Sequence, residues 1–238
     1  MQKSYFNLSP KETLEQLGVT SGGLNAQQAA QRLEQYGPNR LAEGEKKSWL
    51  AVFAEQFKDL LVVILIVAAI ISMFSGNLES TLVIFAVLIL NAVLGTVQYF
   101  KAEKSLESLK AMSAPSAKVL RDGQRMEVPG DQVVPGDIVE LEAGDLIVAD
   151  GRILNSWSLK VNESSLTGES EAVEKSREAI EGTEVALGDQ KNMAFSGSLV
   201  TYGRATMVVT GTGMGTQLGR IAALMNQTQQ RKTPLQKN

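Results

Sequence analysis

The spacing of apolar and polar residues divides the chain into a helical start, an apolar middle and a strand-rich remainder. Two short helices are predicted first, in SPKETLEQLG and NAQQAAQRLEQYGPN, because each stretch combines capping residues with a glycine stop. Ser9 with Glu12, and Asn25 with Gln28, have the spacing of a capping box. We expect residues 1–47 to form a small helical segment.

The middle of the chain contains two uncharged stretches, LLVVILIVAAIISMF and TLVIFAVLILNAVLGTVQYF. A helix crosses a bilayer with about 20 apolar residues, so we predict membrane helices at 57–76 and 80–100, joined as a hairpin. The alternative is a buried helical hairpin in a soluble core. SWLAVFAEQFKDL predicts an amphipathic helix at 48–59 that approaches the membrane surface, with Glu55 and Asp59 one helical turn apart.

Lysines flank this apolar hairpin on its outer sides, whereas the turn between the stretches carries only Glu79. By the positive-inside rule, both outer flanks are cytoplasmic. We therefore expect a multi-pass protein of the cell membrane, in contact with the lipid bilayer, with both termini and the remaining domain in the cytoplasm. The lysines concerned are Lys46, Lys47, Lys58, Lys101, Lys104 and Lys110.

Helical spacing continues through 101–114, which we interpret as a stalk, and then gives way to strand-like alternation. The pair Asp122–Gly123 between two alternating runs is a strong hairpin signal. NMAFSGSLVTYGRATMVVTGTG is predicted to form two strands around Tyr202–Gly203. The pattern predicts an all-β cytoplasmic domain at 115–213, followed by a helix and linker at 214–238. The predicted fold class is an α+β membrane protein.

Composition removes several kinds of chemistry. The chain has no cysteine and no histidine, which excludes zinc fingers, thiol nucleophiles and Ser-His-Asp catalysis. A net charge of −3 makes no case for nucleic acid as a partner. GTGMG at 211–215 precedes a helix, but its spacing is not that of a dinucleotide-binding loop, and no P-loop motif is present. Catalysis would rest on carboxylates, hydroxyls, lysines and backbone amides.

The stretch SSLTGES is the one candidate catalytic motif, with Thr167, Gly168, Glu169 and Ser170 as its residues. A carboxylate can orient and deprotonate water for attack on phosphorus. Glycine allows the backbone to approach a phosphate where a Cβ would collide. The alternative, which these four residues alone would favour, is a solvated polar loop.

Taken together, these stretches resemble the N-terminal third of a P-type cation-transporting ATPase, closest to the calcium-pumping subgroup. EQFKDLLVVILIVAA and LNAVLGTVQYFKAEKSLESLK are similar to the first two membrane helices and the stalk of that family. VPGDIVELEAGDLIVADGRIL and VNESSLTGES are similar to its actuator domain, and KTPLQ looks like the link to a third membrane helix. The LTGES motif is highly specific in this context.

The resemblance implies that the β domain is a distorted jelly-roll that swings toward an aspartyl phosphate on another domain. Glu169 would position the hydrolytic water, and Thr167, Gly168 and Ser170 would shape the loop. It also implies ATP and Mg²⁺ as cofactors of the complete protein, Ca²⁺ as the transported cation, and phosphorylation and nucleotide-binding domains as partners. We expect no cofactor or metal site on this chain itself.

The sequence departs from the family pattern at three positions. Val148 replaces a common proline, Asn162 replaces a common aspartate, and Lys58 stands between Glu55 and Asp59, which match acidic positions near the cytoplasmic ion entrance of the family. The entrance is therefore less acidic. Two alternatives stay open: a standalone membrane-anchored β module that binds or regulates another protein, and the same pump portion for Na⁺, K⁺, H⁺ or Mn²⁺.

The sequence contains no D-K-T-G phosphorylation motif. We therefore expect the purified 238-residue chain to neither hydrolyse ATP nor transport ions by itself. The measurement is phosphate release from ATP by the chain in detergent, with and without Ca²⁺. Turnover that depends on the chain's concentration would contradict the prediction.

Overall fold

The computed structural model describes residues 5–42, 47–112, 115–182 and 184–229. The chain divides into two compact units. One contains residues 1–42 together with 114–238, and the other contains residues 43–113.

The first unit is an antiparallel sheet with short helices. Its helices are α1 (Pro10–Leu17), α2 (Ala26–Tyr36), α6 (Ser164–Thr167) and α7 (Gln217–Gln229). Its strands are β1 (Ser116–Arg121), β2 (Gln124–Pro129), β3 (Ile138–Glu142), β4 (Asp150–Asn162), β5 (Val173–Glu174), β6 (Met193–Ala194) and β7 (Leu199–Gly211). The strand order is β2-β1-β3-β7-β4-β5, and β6 pairs with β4. One face of the sheet covers a core of valine, isoleucine, leucine, methionine and alanine side chains.

The predicted capping boxes are present at both N-terminal helices. The Ser9 hydroxyl accepts a hydrogen bond from the Glu12 amide, and the Glu12 carboxylate accepts one from the Ser9 amide. Asn25 and Gln28 exchange the same pair of bonds at the start of α2. Each box satisfies amide groups that the first turn of a helix leaves without partners.

The two N-terminal helices pack on the sheet. Val19, Leu24 and Ala29 form a buried cluster with Val134. Arg32 donates hydrogen bonds to the carbonyl oxygens of Pro135 and Leu17, each at 2.7 Å. The helices therefore belong to the same compact unit as the strands.

The hairpin predicted at Asp122–Gly123 is confirmed, because β1 and β2 pair antiparallel around it. Both turn residues have positive φ, 51° and 70°, as a two-residue type I′ turn requires. The Asp122 carboxylate also accepts a hydrogen bond of 3.2 Å from the Ala26 amide in the first turn of α2. The hairpin tip thus helps to hold α2 on the sheet.

The prediction of two strands around Tyr202–Gly203 is wrong, because a single strand, β7, runs through this position. Gly203 has φ +76° and lies at a register shift opposite Trp157 and Lys160. A Cβ on Gly203 would lie 2.3 Å from the carbonyl oxygen of Ser158. The glycine therefore allows a bulge and a close backbone approach within one strand, where the sequence suggested a turn.

The second unit is helical, with α3 (Trp49–Gln56), α4 (Leu60–Phe74) and α5 (Leu78–Met112). Helices α3 and α4 meet at a bend of 68°. Asp59 begins α4 by accepting a hydrogen bond from the Leu61 amide at 2.8 Å. The helix that was predicted at 57–76 is therefore shorter than expected.

The prediction that Glu55 and Asp59 lie one helical turn apart is wrong, because α3 ends at Gln56. The Glu55 carboxylate instead forms an ion pair of 2.7 Å with Lys47. Asp59 is occupied as the cap of the following helix. The two carboxylates thus have separate local roles.

Helix α5 continues from the second apolar stretch into the predicted stalk without a break. Within the described residues, Leu78–Ser108 is one helix that is long and apolar enough to cross a membrane, and the bent pair α3–α4 would be a second if it forms one span. Helices α4 and α5 pack against each other. The predicted end of the stalk, at residue 114, lies outside the described residues.

Asp150, the first residue of β4, connects three parts of the sheet unit. One carboxylate oxygen accepts a hydrogen bond from the Ser196 amide at 2.8 Å, and the other accepts one from the Gln217 amide at the start of α7 at 2.7 Å. The side chain is almost fully buried. Burial raises the pKa of Asp150 to about 6, although the two hydrogen bonds oppose this change.

The raised pKa of Asp150 predicts a pH-dependent stability. The folded state holds the Asp150 proton more tightly than the unfolded state, so stability relative to an Asp150→Asn variant falls as pH rises from 3.8 to about 6. The full change is at most about 3 kcal/mol. Urea unfolding in detergent, followed by Trp157 fluorescence in a Trp49→Phe background, measures it. A difference between the two proteins that does not vary with pH would contradict the prediction.

Candidate functional site

The candidate loop begins where β4 ends. The last strand residue, Asn162, accepts a hydrogen bond from the Ser164 amide at 2.9 Å through its side-chain oxygen. The single helical turn α6 follows and ends at Gly168, which has φ +77°. This left-handed conformation is accessible to glycine without strain and directs the chain into Glu169.

Thr167 links the base of the loop to Glu169. Its hydroxyl donates a hydrogen bond to the carbonyl oxygen of Glu163 at 3.2 Å and accepts one from the Glu169 amide at 3.3 Å. The same Glu163 carbonyl accepts bonds from the amides of Leu166 and Thr167 at 2.9 and 3.0 Å. The backbone that carries Glu169 is therefore held by a local network.

The Glu169 side chain is exposed, and so are those of Ser170 and Glu171. Of the four residues that the sequence indicated, Thr167 and Gly168 form the turn, Glu169 is presented to solvent, and Ser170 follows it. The Ser170 hydroxyl has no hydrogen-bond partner among the residues that the structure describes. This geometry allows the loop to present the Glu169 carboxylate to a group on another domain or molecule.

The sequence interpretation missed the ion pair beneath this loop. Glu163 Oε1 lies 2.6 Å from Lys175 Nζ, and neither side chain is exposed to solvent. Burial raises the pKa of Glu163 and lowers the pKa of Lys175, and each group opposes the shift of the other. The only sequence signal was a pair of opposite charges at the two ends of a polar loop, and such charges are usually solvated.

The described residues contain no group of three or more Asp, Glu, His or Cys side chains arranged to hold a metal ion. A cleft of about 360 Å³ lies beside Asp150 and is also lined by Tyr5, Phe6 and Arg220, but the candidate loop does not line it. Within the candidate loop, the structure presents the Glu169 carboxylate and the groups that hold it.

Comparison with known proteins places both parts of the chain in one family. Residues 111–226 match the P-type ATPase actuator domain, and residues 5–72 match the N-terminus of cation transporters and ATPases. The chain belongs to the P-type cation-transporting ATPase family.

Individual relatives agree with this assignment. The chain is 47% identical over 98% of its length to a calcium-transporting ATPase of Listeria monocytogenes, where it covers 26% of that protein. It is 43% identical over 90% of its length to a calcium-transporting ATPase of Bacillus subtilis, of which it covers 24%. It is 42% identical over 90% to a cation-transporting ATPase of a Synechocystis species, of which it covers 23%. The chain thus spans about a quarter of the length of these relatives.

The network around Thr167 predicts a local loss of order in a Thr167→Val variant. Valine keeps the shape but removes both hydrogen bonds, so the Glu169 amide should exchange its hydrogen about five- to tenfold faster, equivalent to roughly 1 kcal/mol. Hydrogen–deuterium exchange with mass spectrometry measures this rate. Ser170→Ala is the matched control and should leave exchange at Glu169 unchanged. Equal protection in wild type and Thr167→Val would contradict the described role of the hydroxyl.

Proposed function

We propose that this chain is the N-terminal portion of an ATP-driven cation transporter and that Glu169 positions the water that hydrolyses its aspartyl phosphate. The observation that carries the proposal is an exposed glutamate at the tip of a hydrogen-bonded loop in an actuator domain. In this reaction the water oxygen attacks phosphorus while Glu169 accepts the water proton. The bond between phosphorus and the aspartate oxygen breaks, and the aspartate leaves as a carboxylate.

Electrostatics supports a carboxylate that is delivered by a moving domain. A glutamate and a phosphate repel each other, so a permanent contact between them would be unfavourable. Because Glu169 is exposed, it can meet a phosphate in one conformation of the pump and be apart from it in another, and the hydrogen bonds of Thr167 restrain the loop when contact is made. A preorganised loop loses little entropy on contact, and catalysis depends on accurate placement.

The other domains of the pump are part of this proposal. ATP and Mg²⁺ act in the complete protein, where ATP would supply the phosphoryl group and Mg²⁺ would neutralise its charge, and this chain contributes the dephosphorylating loop. We propose Ca²⁺ as the cation because two of the relatives described above are named calcium-transporting ATPases. The helices α4 and α5 would form a membrane hairpin, with the sheet unit and both termini in the cytoplasm. The jelly-roll description of the sheet unit also belongs to this proposal.

The test uses a chimaera in which these 238 residues replace the aligned quarter of the Listeria monocytogenes calcium-transporting ATPase. We expect the chimaera to form a phosphoenzyme from ATP and to take up Ca²⁺ into vesicles. Glu169→Gln should leave phosphoenzyme formation intact and slow its decay by about 100-fold or more, because a positioned general base contributes about 10²–10⁴-fold. Decay after addition of unlabelled ATP measures this directly.

Glu171→Gln is the matched control, because Glu171 is also exposed and lies two positions further along the same loop. The phosphoenzyme of the Glu171→Gln variant should decay at the same rate as that of the parent chimaera. Wild-type decay in Glu169→Gln would contradict the proposed role of Glu169. A chimaera that forms no phosphoenzyme and takes up no Ca²⁺ would contradict the assignment of the chain to such a pump.

A further inference from the structure

The Glu163–Lys175 ion pair stands at the two ends of the catalytic loop. Glu163 directly precedes α6, and Lys175 directly follows β5. Both side chains are fully buried, whereas most of the residues between them are exposed. The pair therefore closes the base of an otherwise solvent-facing segment.

Lys175 is anchored to the sheet through its backbone, and Glu163 directly follows the last residue of β4. The Lys175 amide donates a hydrogen bond to the Leu159 carbonyl at 2.8 Å, and the Ser156 hydroxyl donates one to the Lys175 carbonyl at 2.7 Å. The Lys175 ammonium lies 5.4 Å from the centre of the Phe195 ring. The ion pair thus fixes one end of the loop relative to the other at the surface of the core.

A short chain of contacts leads from this pair to the catalytic carboxylate. The Glu163 carbonyl oxygen accepts a hydrogen bond from the Thr167 hydroxyl. That hydroxyl in turn accepts a hydrogen bond from the Glu169 amide. A displacement of Glu163 therefore moves the acceptor on which the turn is built. Each of these hydrogen bonds joins two residues that lie close together in the same loop.

A contribution to folding stability is a weak explanation for this buried ion pair. Removing two charges from water is costly, and apolar residues of similar volume often give equal or greater stability than a buried ion pair. The cost is not fully offset here, because neither Glu163 Oε2 nor Oε1, in spite of its short distance to Lys175 Nζ, has a partner with hydrogen-bond geometry among the residues that the structure describes. A contact that holds the two ends of the loop together is the better explanation.

We propose that Glu163 and Lys175 are positioning residues, whose buried ion pair sets the geometry of the loop that presents Glu169 for dephosphorylation. The proposal rests on the proposed function of Glu169 and deepens it. The pair acts through Thr167 and does not itself touch the phosphate. Its loss should affect dephosphorylation and leave phosphorylation by ATP unchanged.

The informative variant replaces both charges, Glu163→Met together with Lys175→Met. A single substitution would leave one buried charge uncompensated and could unfold the domain. Methionine approximates the length of both side chains and can contact the Phe195 ring favourably. The matched control is Lys118→Met with Glu142→Met, which removes a 2.8 Å ion pair of the same residue types from the surface of the same sheet.

The first measurement is hydrogen–deuterium exchange on the 238-residue chain. We expect faster exchange at residues 164–172 in the double-methionine variant, while the amides of β4 and β7 stay as protected as in the control. Unchanged exchange in the loop would overturn the proposal, and so would a loss of protection throughout the sheet, because that would show a role in overall stability only. This readout needs no enzymatic activity.

The second measurement is phosphoenzyme decay in the Listeria chimaera. The double-methionine variant should form phosphoenzyme at the parent rate and decay at least about tenfold more slowly, since a misplacement of 1 Å can cost about 100-fold. Exchanging the charges, Glu163→Lys with Lys175→Glu, should recover part of the decay rate. Wild-type decay in the double-methionine variant would overturn the proposal.

The two proposals fail in different ways. If Glu169→Gln slows decay and the double-methionine variant does not, the role of Glu169 stands and the positioning role is overturned. If Glu169→Gln itself decays at the parent rate, the proposed function fails. In that case, only the hydrogen–deuterium exchange of residues 164–172 decides whether the ion pair sets the loop geometry.

Discussion

Antiparallel pairing between β4 and β7 is the constraint on which the rest of the sheet unit depends. These are the two longest strands of the sheet. At one end of the pairing, Asp150 lies opposite Gly211, close to the start of α7, and at the other end Asn162 lies opposite Leu199. The candidate loop therefore starts at a fixed point, one residue beyond the last pair. Bulges between these ends increase the local twist without releasing either end.

The loop has to meet two physical requirements that oppose each other. Glu169 must be exposed if it is to reach a phosphate on another domain, yet an exposed segment gains little from burial and is free to move. The structure separates these requirements by position. The tip is polar and exposed, the turn is held by Thr167, and the base is closed by Glu163 and Lys175 in the core. The exposed tip of the loop is therefore ordered by interactions at its base, where Glu163 and Lys175 are buried and water cannot compete for their contact.

Local signals in the sequence predicted much of this architecture. Capping boxes, the Asp122–Gly123 turn and the long apolar helix each depend on residues that are close together along the chain, and each appears in the structure. The errors arose where distant residues decide the outcome. Gly203 suggested a turn, but its role is set by the backbone of Ser158 on the neighbouring strand. The pair of Glu163 and Lys175 has no periodic pattern, so only the folded sheet reveals it.

The departures from the family pattern have unequal consequences. Val148 contributes its carbonyl oxygen, which accepts hydrogen bonds from the side chains of Asn39 and Ser196, and a proline would keep that carbonyl. Asn162 contributes a side-chain oxygen to the Ser164 amide, and an aspartate could do the same. Neither change removes an interaction that holds the candidate loop.

The acidic residues near the predicted ion entrance are a different case. Glu55 is neutralised by Lys47 at 2.7 Å, and Asp59 uses one oxygen to cap α4. A carboxylate that is already paired must give up its partner before it binds a cation, which weakens any attraction it exerts. The proposal of Ca²⁺ rests on similarity across the whole chain, whereas the proposal for Glu169 rests on geometry within the loop.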